Sequence, residues 1–156
     1  MPSTVTRVAT GSAELEVARL VRARVASHLY DETGTDTPGT AIYTLSDPRD
    51  LRTVRYVGQT RAPRRRLLQH IRAARVWVPD DLPWWVVEDP QRPLYEWIRT
   101  LFRDGQRLPV MIVVARHGLP ADATLAEREL IQESLRRHQP LLNVGSASLE
   151  PQIRLL

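Results

Sequence analysis

The chain has 156 residues, a net charge of +4 and a pI near 10.3, and every basic side chain is arginine because lysine is absent. That length suits one domain with a real core, and the lack of cysteine excludes disulfides and thiolate zinc sites. The longest aliphatic run, Val110 to Ala115, is too short to cross a bilayer, and the start, MPSTVTRVATGSAELEV, lacks the apolar core of a signal peptide, so the expected location is the cytoplasm.

Arginine forks match phosphate oxygens bidentately, so the arginine bias is compatible with a nucleic-acid partner, as it is with a GC-rich genome that favours arginine codons. In chain order, residues Ser12 to Tyr30 show helical spacing of Leu15, Ala18, Val21, Val25 and Leu29, with Glu14, Glu16, Arg19, Arg22 and Arg24 around them. This predicts an amphipathic helix that covers the domain or packs on a second copy, which would make a homodimer. Asp31 to Gly39 has the small polar composition of a linker.

Ala41 to Leu45 is short, β-branched and aromatic, Asp47-Pro48 is a turn signal, and Val54 to Gly58 resumes the β pattern, so a hairpin is predicted with Tyr43 and Tyr56 on its two strands. Gly58-Gln59-Thr60 breaks the strand, and Pro63 suits the first turn of a helix. On that helix Leu67, Ile71, Ala74 and Val78 share one stripe that should face the core. Arg64, Arg65, Arg72 and Arg75 fall in a second arc. Arg66 and His70, spaced i and i+4, share a third face. With Arg61 these arginines make one positive segment suited to phosphate.

Trp77, Trp84 and Trp85 alternate with prolines and acids, and they read either as a lid over a small core or as platforms for exposed bases. Leu94, Trp97, Ile98, Leu101 and Phe102 form a wide apolar helix face that ends at Gly105. Pro109 to Ala115 reads as a buried strand, the third of the sheet. On the last helix Asp122 and Thr124 are N-cap candidates, and Glu127 lies beside Leu130, Ile131 and Ser134 on the inward face. An inward carboxylate asks for a partner or a metal, although Thr124 and Glu127 also have the spacing of a capping box. Asn143 follows in a loop, where it could also serve as a turn residue.

AIY at residues 41–43 and YVG at 56–58, followed by Arg66 ten residues and His70 fourteen residues beyond Tyr56, together resemble the GIY-YIG nuclease family. The resemblance continues to the glutamate of AERELI and the asparagine of PLLNV, and departs from the family where Ala41 replaces glycine. It implies an α+β fold, with a small central antiparallel three-stranded sheet flanked by helices and the amino-terminal helix as an addition. The expected division is 1–39 for helix and linker, 40–145 for the nuclease-like domain and 146–156 for a tail.

By the same resemblance, Glu127 would hold a divalent cation, Arg66 would grip the phosphate, Tyr43, Tyr56 and His70 would handle the nucleophilic water, and Asn143 would orient a neighbour. A cation held by one carboxylate and several waters suits magnesium, with manganese as the substitute. The implied activity is endonucleolytic hydrolysis of DNA, with Arg61, Arg64, Arg65, Arg72 and Arg75 on the nucleic acid; a ribonuclease and a non-cleaving binding module on the same fold are the alternatives.

Overall fold

The computed structural model describes residues 15–16, 19–20, 22–34, 38–85 and 89–143. Its elements are β1 (Leu29–Asp31), β2 (Thr40–Asp47), β3 (Asp50–Thr60), α1 (Pro63–Ala74), α2 (Arg92–Gly105), β4 (Val110–His117) and α3 (Pro120–Arg136). The class is α+β. The sheet has four strands in the order β1-β4-β2-β3, with β2 antiparallel to both β3 and β4 and β1 parallel to β4. It is therefore mixed, where the pattern suggested three antiparallel strands.

The additional strand comes from the end of the expected amino-terminal helix. Residues 22–26 are helical, and the helix stops where the Ser27 hydroxyl donates to the Arg24 carbonyl at 2.6 Å. Leu29 and Tyr30 then extend along β4, which would otherwise leave a row of backbone groups unpaired. Asp31 locks the turn that follows, accepting from the Thr33 amide at 2.9 Å and pairing with Arg116 of β4 at 2.6 Å. The sheet thus reaches into the stretch assigned to the linker. Ser12, Glu14, Ala18 and Val21 of the expected helix, Thr35 to Thr37 of the linker and the tail 146–156 lie outside the described residues.

Alternation along the strands divides the packing between two layers. Ala41, Tyr43, Leu45, Met111 and Val113 join Leu67, Ile71 and Ala74 of α1 and Leu94 and Ile98 of α2 in one core, which Val25 also enters. Ile42, Thr44 and Val57 alternate with these and are buried on the other face, against which α3 packs. The apolar run of β4 suits a strand with neighbours on both sides.

Three helix ends differ from the sequence pattern. α1 stops at Ala74 because Arg75 turns left-handed (φ 47°), so Val78 lies beyond the core stripe. α2 runs through Gly105, and its left-handed cap is Gln106 (φ 54°). α3 begins at Pro120 after Leu119, with Asp122 already in its first turn. Proline's fixed φ favours the earlier start, and Asp122 suits the positive end of the helix dipole. Thr124 and Glu127 therefore lie inside the helix and form no capping box. No helix among the described residues is long and apolar enough to cross a membrane.

Candidate active site

The β2–β3 ladder brings the two tyrosines together. Tyr43 pairs with Gly58 and Leu45 with Tyr56, so Tyr56 is the diagonal neighbour of Tyr43 on one face of the sheet, and the ring centroids are 6.1 Å apart. Tyr43 is only 1% exposed, and its hydroxyl lies 2.9 Å from Nε2 of His70, which α1 lays over the same face. The Tyr56 and His70 rings meet edge to face with centroids 5.4 Å apart. Tyr56 is the more accessible of the two phenols.

Arg66 and Glu127 both act electrostatically on the two phenols. Burial pushes the Tyr43 phenol strongly upward; the nearby Tyr56 and the Glu127 carboxylate push the same way, and the Arg66 guanidinium pulls down. Tyr56 is also raised, by burial and then by Glu127, while Arg66 and hydrogen bonding with Tyr43 and Gln91 favour its phenolate. The pKa of His70 falls to about 4, first through burial and then through Arg66. This histidine is neutral at pH 7. Tyr43, Tyr56, Arg66, His70 and Glu127 thus sit within one electrostatic neighbourhood, although they come from β2, β3, α1 and α3.

Glu127 stands on α3, which packs on the other face of the sheet from the tyrosines. Gln59 connects β3 to α3, donating to the Thr124 hydroxyl at 3.4 Å and hydrogen-bonding with Glu127. Burial raises the pKa of this half-buried carboxylate above the ordinary glutamate value, with the Gln59 bond opposing. Arg66 is exposed, and neither it nor Glu127 has an ion-pair partner among the described residues.

Asn143 lies beside the strand that carries Tyr56. Its side-chain amide donates to the Val57 carbonyl at 2.7 Å and accepts from the Val57 N–H at 3.0 Å, so it clamps the outer edge of β3 beside Tyr56. Gln139 does the same farther along, accepting from Val54 N–H at 2.9 Å and donating to the Arg52 carbonyl at 2.8 Å. The strand that carries Tyr56 is held by two side-chain amides in place of a fifth strand.

The basic segment also divides. Arg61, Arg64, Arg65 and Arg72 are exposed, but Arg75 turns away at the helix end, lining a small pocket with Trp84, Trp85, Arg92 and Tyr95. Trp84 is buried beneath the Arg99 guanidinium, and Arg92 stacks on Trp85 at 3.9 Å. Arg99 caps α1, with Nη1 donating to the Ala74 carbonyl at 3.2 Å and to that of Arg75.

Sequence reading missed Gln91, Tyr95, Gln59 and Gln139. Gln91 and Tyr95 are one turn apart at the start of α2, and both sense Tyr56. The spacing i, i+4 after the Asp89-Pro90 turn was a usable signal; the facing partner left none. Compared with family models, curated proteins and solved structures, the chain matches none of them.

Proposed function

We propose that this chain is a metal-dependent endonuclease of the GIY-YIG kind that hydrolyses phosphodiester bonds in DNA. The observation that carries the reading is that two neighbouring phenols lie within the electrostatic reach of both the Arg66 guanidinium and the Glu127 carboxylate, from four separate elements. Glu127 is half-buried with a Gln59 hydrogen bond and no ion-pair partner among the described residues, and desolvation makes its charge costly. That same property fits a divalent metal: Glu127 would be its protein ligand, and water would complete the shell, as magnesium prefers. When bound, the ion supplies positive charge for the phosphate and the departing oxygen.

The chain's own residues supply the rest. Arg66, exposed and without an ion-pair partner among the described residues, grips the non-bridging phosphate oxygens and offsets the charge that accumulates on them. Tyr56, the accessible phenol, meets the attacking water. Burial opposes a standing phenolate on either tyrosine. Tyr56 orients the water, whose proton leaves to solvent, and the hydrogen bond from Tyr43 steadies the Tyr56 hydroxyl. His70, kept neutral by burial, lies beside the Tyr43 hydroxyl and holds it in place. Asn143 and Gln139 hold β3 in register, and hence hold Tyr56 in position.

Supercoiled plasmid incubated with the protein tests the proposal. Nicking in magnesium or manganese, abolished in chelator and in Glu127→Ala, is the expected result. Wild-type protein that binds the plasmid and leaves it intact would favour a non-cleaving module, and cleavage confined to labelled RNA would make the chain a ribonuclease.

A further inference from the structure

A second basic site lies on the other flank of α1. The helical segment at residues 22–26 and α1 enclose an open groove of about 860 Å³, whose lining includes Arg22, Arg64, Arg65 and Arg72 around an apolar floor with Ala26 and Leu68. No acidic side chain among the described residues lines it. None of these arginines has an ion-pair partner among the described residues. Like charges gathered without counter-charge repel one another. Arg64 and Arg65 also stand in the first turn of a helix that has no acid there and no side-chain cap, against the positive end of its dipole. Four cations in a groove, without counter-charge among the described residues, are matched by a polyanion.

The width of α1 is compatible with duplex DNA as that polyanion. A helix with its side chains is about 10–12 Å across, close to the roughly 12 Å of a duplex major groove. Arg66 faces the tyrosine cluster on one flank of α1, and Arg64, Arg65 and Arg72 face the groove on the other. We infer that the groove between residues 22–26 and α1 receives the sugar-phosphate backbone of the uncleaved strand of duplex DNA while Arg66 engages the strand to be cut. The amino-terminal segment is then part of the substrate surface, and Arg22 reaches the phosphates from it. The same positive charge on two copies would oppose self-association through this face.

This inference rests on the nuclease reading for its choice of substrate, and its test is made on binding so that the two can fail separately. Fluorescence anisotropy in chelator, with a labelled duplex and with one of its strands alone, gives log K against log salt for wild type and for Arg22→Gln/Arg72→Gln. Each phosphate left without its arginine should flatten the duplex slope by about 0.9, so the double variant should be flatter by about 1.8. Arg22→Lys/Arg72→Lys should restore most of that slope, since both keep the charge. Single-strand binding should change little. An unchanged duplex slope, or an equal change on the single strand, overturns the inference whether or not the plasmid is nicked. A flattened duplex slope upholds it even for a protein that cuts nothing.

Discussion

The Tyr43 phenol lies directly over the α-carbon of Gly58: a methyl group at position 58 would stand 2.5 Å from its hydroxyl oxygen and 2.6 Å from the ring carbon that bears it. The cross-strand partner of the buried tyrosine must therefore be a residue without a side chain. The ring cannot retreat, because its hydroxyl is tied to His70 and its edges are packed in the core. Gly58→Ala should displace the phenol and break that bond. Overpacking of this kind costs about 1–3 kcal/mol, to be read as a lower urea midpoint. A shift near 1 Å at the site should slow nicking by about a hundredfold. A variant with wild-type rates would remove Tyr43 from the chemistry.

Acid should loosen the fold through His70. Its pKa falls from 6.5 to about 4 on folding, through burial first and Arg66 second. Between those values the unfolded chain binds the proton and the folded chain does not. The contribution is thus fully present above about 6.5 and is lost as pH falls toward about 4, with an upper limit of about 3 kcal/mol. His70→Gln keeps a group that can hydrogen-bond Tyr43 and removes the titration. Its thermal midpoint should vary less across this window than that of wild type, and parallel curves would count against the assignment.

Burial raises the Glu127 carboxyl above its ordinary range, and the Gln59 bond opposes only part of that. A protonated carboxyl holds no cation, so the magnesium needed for half-maximal nicking should rise as pH is lowered, starting above the usual carboxylate range. Glu127→Gln should lower cleavage by at least about a hundredfold while leaving duplex binding in place. Cleavage by that variant at wild-type rates would show that the metal, if needed, is held elsewhere.

The amide clamp on β3 predicts the same direction of effect for two different changes at Asn143. Asn143→Ala leaves both Val57 backbone groups short of a partner, at a cost of about 1–3 kcal/mol. Asn143→Asp keeps an acceptor for the N–H but sets a carboxylate oxygen against the Val57 carbonyl, which Nδ2 now serves at 2.7 Å. Both variants should therefore be less stable, with faster amide hydrogen exchange at Val57 and weaker nicking because Tyr56 is next in the strand. Exchange at Val57 unchanged in both would mean that the clamp is not what protects this edge.

Much of this site could be read from local periodicity. Alternation along residues 41–45 and 54–58 set the two tyrosines on strands, and the i, i+4 spacing put Arg66 and His70 on one side of α1, because both periods are properties of backbone geometry alone. The inward side of Glu127 followed from the same helical net. Helix ends were less legible: Val78 and the Asp122 and Thr124 caps were misplaced because a left-handed Arg75 and a proline at N1 decide those boundaries within one residue.

Residue order and spacing by themselves determined which side chains belong to each element and which face of it they occupy. Only the tertiary structure decided that Leu29 and Tyr30 leave the helix for an edge position beside β4, that Asn143 and Gln139 close on β3, and that His70 seals the Tyr43 hydroxyl from solvent. Each of these depends on strand register and on the side of the sheet to which a helix docks. Those are set by the burial of the whole core, which no local period contains.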